Sequence, residues 1–270
     1  MTIATALTAC GQLDSRRHAF PDSVYDPAPT PAATGIAADS GPADASPRPS
    51  QSGAVDPGEP YADLSAAELL DRSETASHAL RTVRMVADLT ADDGRTMRID
   101  LVIDLEEEAY TGTVTVGGVN VEVRLRGADA WLRGGKAYWQ GTGAPADVAR
   151  RLADKYVHFP ETHQRYEFFA NLLGVGDPTF ATGEFSRPRR LPVRDHDGET
   201  VIPVEARSGA AVITILLSVD RGLVPVSVAD DESTSFEYSE HDRPVTVARP
   251  PAAQVVSADE LSGDVDLPGV

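Results

Sequence analysis

Nine consecutive residues, Met97-Arg98-Ile99-Asp100-Leu101-Val102-Ile103-Asp104-Leu105, place a large apolar side chain at every second position. Successive side chains of a strand point to opposite faces, so Met97, Ile99, Leu101, Ile103 and Leu105 share one face, and Arg98, Asp100 and Asp104 share the other. A helix would scatter the same apolar residues around its circumference. The centre of this chain must therefore be a sheet with one greasy face and one wet face. The functional question is what covers the greasy one.

The flanking sequence continues the pattern. Val83, Met85, Ala87 and Leu89 alternate with Arg84 and Asp88 and end at Asp92-Asp93-Gly94, a hairpin signal. After the acidic turn Glu106-Glu107-Glu108 come Tyr110, Gly112, Val114 and Val116, with threonines between them. Gly117-Gly118 turns the chain into Val119, Val121, Val123 and Leu125. Residues 128–132 and 137–139 read as a last hairpin around Gly134-Gly135. Short connections of this kind predict an antiparallel meander.

Helical signals flank and interrupt the strands. Ser65-Ala66-Ala67-Glu68 is a capping box, and Leu69, Leu70, Ser73, Ala76, Ser77 and Leu80 follow at helical spacing. This predicts a helix to about Leu80 with a narrow face of mostly small residues. Further on, Val148, Leu152 and Tyr156 are spaced i, i+4, i+8; beyond Pro160, so are Tyr166, Phe169, Ala170 and Leu173 at i, i+3, i+4, i+7. Two short helices are expected there, inserted as a cover over the sheet. Strands return at 201–206, at Ala211, Ile213, Ile215 and Leu217, at 223–228 and at 233–238, with a turn at Asp195-His196-Asp197-Gly198.

The ends are of a different kind. Leu7-Thr8-Ala9-Cys10-Gly11 has the form of a lipobox, in which the cysteine thiol receives a lipid; nine residues precede it, none basic, so residues 1–10 read as a truncated signal. Residues 11–60 hold nine of the 20 prolines among Ala, Ser, Asp and Gly, and cannot bury enough apolar surface to offset their ordering entropy. They are expected to form a disordered tether. The folded domain is expected over residues 61–255, and 256–270 read as a loose acidic tail. A net charge of -18 argues against nucleic acid or an anionic membrane surface as a partner, since both repel an acidic chain. Lys136 and Lys155 are the only lysines, an Arg-over-Lys bias that suggests a GC-rich genome such as that of an actinobacterium.

No catalytic constellation stands out. The Gly-x-Ser-x-Gly elbow, the phosphate-binding Gly-x-x-x-x-Gly-Lys and the dinucleotide fingerprint are missing from the sequence. His158 and His163 lie five apart across Pro160, which is not a metal-helix spacing, and Asp195-His196-Asp197 and Glu240-His241-Asp242 read as solvated turns. Neither an enzymatic role, a metal nor a cofactor is expected.

The order of parts resembles the LppX/LprG-type actinobacterial lipoproteins, which are similar in fold to the LolA/LolB carriers. The resemblance rests on the lipobox, the tether, the capped helix and the meander, and on two sequence stretches. One is Ala130-Trp131-Leu132-Arg133 with Lys136-Ala137-Tyr138-Trp139; the other is Phe236-Glu237-Tyr238-Ser239 followed by Pro244-Val245-Thr246-Val247 and Pro250-Pro251. It implies an α+β fold, a curved antiparallel sheet (a half-barrel) with helices across the concave face and an apolar cavity for acyl chains between them. The candidate cavity residues on the sheet are Met97, Ile99, Leu101, Ile103, Val121, Val123, Ile213 and Ile215. On the helices they are Leu69, Ala76, Leu80, Val148, Leu152 and Phe169. It further implies a protein anchored through Cys10 at the outer face of the plasma membrane that binds or transfers lipid; a monomer is expected. The alternative is an envelope sensor or protein-binding module whose core is filled and holds no lipid.

Overall fold

The computed structural model describes residues 58–261 except 91–93, 95, 183–184, 210 and 231–233. The lipobox, most of the tether and the last nine residues of the tail lie outside the described residues.

The chain begins with helix α1 (Ala66–His78), whose N-terminus is closed by the expected capping box: Ser65 Oγ accepts from Glu68 N–H at 3.3 Å, and Ser65 N–H donates to the Glu68 carboxylate at 2.8 Å. Strands β1 (Thr82–Thr90), β2 (Thr96–Asp104), β3 (Ala109–Val116), β4 (Val119–Arg126) and β5 (Asp129–Gly134) then pair in sequence, each antiparallel to the last. Helices α2 (Lys136–Gly141) and α3 (Ala146–Leu152), strand β6 (Tyr156–Pro160) and helix α4 (Tyr166–Gly176) follow, then a 3₁₀ turn (Pro178–Thr182). The second half supplies β7 (Ser186–Arg190), β8 (Arg194–His196), β9 (Glu199–Ser208), β10 (Ala211–Ser218), β11 (Pro225–Asp230), β12 (Thr234–Ser239) and β13 (Val255–Ser257).

All of them join one 13-stranded sheet in the order β13-β6-β5-β4-β3-β2-β1-β12-β11-β10-β9-β7, with β8 alongside β9. The pairing of β1 with β12, from Arg84 opposite Ser239 to Leu89 opposite Thr234, fuses the two halves. The sheet stays open: its outermost strands, β13 and β7, do not meet. It is the curved, unclosed sheet of the expected α+β half-barrel. The register lines up Met85, Leu101, Gly112 and Val123 across four strands, and Ile99, Val114 and Val121 beside them. These residues form the greasy face, in one continuous core with Val157, Phe159, Ile202, Val204, Ile213, Ile215 and Phe236. Helix α4 lies over β2, β4 and β5, α2 over β4 and β5, and α1 against the 3₁₀ turn and β7.

The wet face is partly strapped. From the end of β12 the chain crosses the outside of the sheet, where Ala248 C=O accepts from Arg124 Nη1 at 3.0 Å and Arg249 pairs with Asp129 at 2.6 Å. It then adds β13 in parallel to β6, and Ala258 beyond it is buried. The chain past residue 255, read from sequence as loose, is therefore paired and partly buried as far as the 3₁₀ turn Ala258–Leu261, because the edge of β6 offers free backbone groups to it.

Two further expectations are corrected. Residues 137–139 do not return as a strand. They lie in α2, and the partner of β5 is β6. Gly134 lets the chain double back tightly, since a side chain there would come within 2.4 Å of the Tyr138 ring, and Trp139 Nε1–H donates to Gly134 C=O at 3.1 Å. The helix expected through Tyr156 stops at Leu152. Asp154, with φ 60°, breaks it, and Tyr156 opens β6 with its side chain on the wet face, bonded to Glu122 at 2.7 Å.

Candidate functional site

The inserted helices sit where a cover was expected. Tyr110, fully buried on β3, donates its phenolic hydrogen to Phe169 C=O of α4 at 3.1 Å, and burial pushes this phenol well above its ordinary pKa. It stays a neutral donor and pins the helix to the sheet. Phe169 rests on Phe159 with ring centroids 5.3 Å apart. At the other end of α4, Gly176 lies so near the sheet that an added methyl would come within 2.2 Å of Ile103 Cδ1.

Among the candidate cavity residues, Leu69, Met97, Ile99, Leu101, Ile103, Val121, Val123, Val148, Leu152, Phe169, Ile213 and Ile215 all belong to this one core. Ala76 and Leu80 are half-buried at its margin. Leu69, Leu101, Ile103, Val123, Leu152 and Ile215 expose none of their surface. A void wide enough for an acyl chain would leave its walls accessible to water, so at these six positions the greasy face meets protein side chains.

The margin is different. Ser77, His78, Ala79, Leu80 and Arg81 at the end of α1, Leu105 and Glu106 in the β2–β3 turn, and Asp177 and Thr179 after α4 line an open groove of about 550 Å³. Leu105 follows the inward-facing row of β2 one step beyond Ile103 and packs against the core from the wall of the groove. Its rim is polar. Arg81 Nε donates to Glu106 at 2.9 Å and Arg81 N–H to Asp242 at 2.9 Å; the Asp177 carboxylate accepts from Thr179 N–H at 2.8 Å. His78 stands 3.8 Å from Glu74. Within the cover, Ser73 and Ser77 on α1 are buried, and neither hydroxyl has a hydrogen-bond partner.

Helix α1 is unevenly seated. Its buried apolar residues, Ala66, Leu69 and Leu70, all lie in its first half, whereas the second half turns Ser73 and Ser77 inward. Sequence periodicity found this small-residue face. It did not find the groove, whose walls come from three distant stretches; the acidic run at 106–108 gave the only local hint, and it reads equally as a turn.

The histidines noted in the sequence take structural places. His158 pairs with Asp129 at 2.7 Å and stacks on Trp131, and His163 meets Phe159 edge-on. Among the described residues no cluster of three His, Cys, Asp or Glu side chains is arranged to hold a metal ion.

An open, curled antiparallel sheet with helices across its hollow is the fold of the LppX/LprF-type lipoproteins. LprF from Mycobacterium bovis superposes with a TM-score of 0.52 at 14% identity, over 69% of this chain and 97% of LprF. The Mycobacterium tuberculosis lipoprotein LppX gives a TM-score of 0.48 at 16% identity, over 68% of this chain and 98% of LppX. At such identity the likeness to LprF shows a shared fold. No protein-family model matches the chain. No curated protein is similar to it in sequence.

Proposed function

We propose that the protein is a cell-envelope lipoprotein that binds an acyl chain between its sheet and its helices, the chain entering through the groove at the end of α1. The observation that carries this reading is where the groove opens: beside the half of α1 that buries little apolar surface, at the end of the greasy row Leu101-Ile103-Leu105. Lifting that half away from the sheet exposes serines and an alanine, whereas lifting α4 would expose Phe169 and Leu172. An acyl chain taking its place gains about 0.8 kcal/mol for each methylene buried. The closed and open arrangements form a two-state equilibrium that the ligand shifts. In this reading Cys10 carries the anchor, residues 11–60 hold the domain off the outer face of the plasma membrane, and no bond of the ligand is made or broken.

The filled face at Leu101, Ile103, Val123 and Ile215 favours a second reading, an envelope binding module with a permanently closed core. One experiment separates the two. The protein is purified from a bacterial host, extracted with organic solvent and examined by mass spectrometry. Lipid in molar proportion supports the carrier; a clean extract together with no uptake of a fluorescent fatty acid leaves only the closed module. For the anchor, with a full-length signal placed upstream, Cys10→Ser should move the protein from the membrane to the soluble fraction, and a wild type already soluble in the cytoplasm would remove the lipobox reading.

A further inference from the structure

We infer that, once the second half of α1 lifts, the groove holds the polar end of the acyl ligand, a carboxyl or hydroxyl group, and that Ser77 and Ser73, closed off in the arrangement seen here, become its hydrogen-bond partners; this rests on the acyl-binding reading above.

The two serines stand one helical turn apart on the inward face of α1, at 1% and 0% exposure, and Ser77 also lines the groove. Both hydroxyls are shut off from water and neither is bonded. A buried hydroxyl without a partner is costly, and buried polar groups in native proteins rarely remain in that condition. The usual refuge of a serine or threonine in a helix is the carbonyl one turn back. Thr75, on the outside of the same helix, takes it, donating to Asp71 C=O at 3.0 Å. Ser73 and Ser77 do not. An apolar face between α1 and the sheet would be served by alanine, which is also the better helix former.

The surroundings suit one end of an amphiphile. Each hydroxyl can donate one hydrogen bond and accept two, so the pair can satisfy both oxygens of a carboxyl group, or give and take with an alcohol. Leu80 and Leu105 flank the same groove and offer apolar contact where the chain departs toward Ile103. Arg81 on the rim is bonded to Glu106, and Asp177 lines the same groove, so the selectivity for a polar end rests on the two hydroxyls and not on a net positive charge. A hydrocarbon of equal length would make the apolar contacts and leave both hydroxyls unsatisfied.

The test measures displacement of a fluorescent fatty-acid probe from the full-length protein by palmitate, 1-hexadecanol and hexadecane, for wild type and for the Ser73→Ala/Ser77→Ala variant. The expected result is that the variant binds palmitate and hexadecanol about tenfold more weakly and binds hexadecane as wild type does, which also shows that the variant is folded. Equal binding of all three ligands by both proteins overturns the polar-end inference and leaves acyl binding standing. A loss shared by all three ligands overturns it too, because the serines then act through packing. Failure of wild type to bind the probe or any of the three removes the acyl-binding reading itself.

Discussion

Strands β2 and β3 approach closely at Gly112, and the approach can be tested there. Gly112 lies on β3 opposite Leu101 of β2 and Val123 of β4, in the middle of the greasy face. A methyl group placed on it would sit 2.0 Å from Asp100 C=O and 2.8 Å from Leu101 Cα. Both obstacles are backbone, so no rotamer change relieves them, and the β2–β3 ladder has to open. Overpacking costs about 1–3 kcal/mol in general, and a backbone-to-backbone clash belongs at the upper end. Alanine recovers about 0.4–1 kcal/mol by restricting the unfolded chain, which leaves a net loss of about 2 kcal/mol for Gly112→Ala. For a domain of this size that corresponds to a fall in Tm of about 4–8 °C. Gly174 in α4 is the control. Nothing lies within 4 Å of a methyl group there, so Gly174→Ala should raise the Tm by a few degrees through helix propensity alone. Thermal unfolding followed by circular dichroism reads both. If Gly112→Ala melts within 1 °C of wild type, β2 and β3 do not approach as described.

On the wet face Asp100 accepts two bonds from Arg84, at 2.9 and 2.8 Å, and these hold its carboxyl below the usual carboxylate range. Because the folded pKa is the lower one, the stabilisation is complete above the unfolded value near pH 4 and disappears as the pH falls through the folded value. Wild type should therefore lose Tm as the pH falls below about 4 more steeply than Arg84→Gln, and parallel curves would refute the coupling. At the start of the domain, Arg190 of β7 is nearly buried and donates to Pro60 C=O at 2.9 Å and to Glu59 at 3.3 Å, as well as to Tyr61 C=O. Arg190→Ala leaves these acceptors unsatisfied. It should destabilise by about 3 kcal/mol and make the chain near residue 60 an early site of limited proteolysis; an unchanged digestion pattern would deny that this clamp holds the segment.

Much of the fold could be read from the chain because period-two alternation and sharp turns recur from Val83 to Leu125, and each turn needs residues that announce it. Gly117 and Gly118 both have positive φ, as do Asp197 and Gly198. The capping box at Ser65 is equally local and was equally legible. Where reading failed, a short stretch was decided by tertiary contacts. Three residues at 137–139 cannot define a period, and Trp139 sits in a helix because its indole is buried under the doubled-back chain and bonded to Gly134. Tyr156 falls four residues after Leu152 by coincidence, across a break at Asp154. Strand β7 was missed because Ser186-Arg187-Pro188-Arg189-Arg190 has no apolar alternation, as suits an edge strand defended by proline and charge. Of the candidate site, the greasy residues were legible as a face. Whether side chains or a ligand fill it depends on how α1 and α4 rest on the sheet, which no single stretch encodes.

The central claim is that an acyl chain reaches the concave face through the groove at the end of α1. A palmitate analogue with a photoreactive diazirine along its chain, bound to the protein, irradiated and located by peptide mass spectrometry, tests it directly. The account predicts label on the peptides containing Ala76 and Leu80 and those containing Ile103 and Leu105, competed away by excess palmitate. Saturable labelling confined to any other surface, or no competed labelling at all, would contradict it.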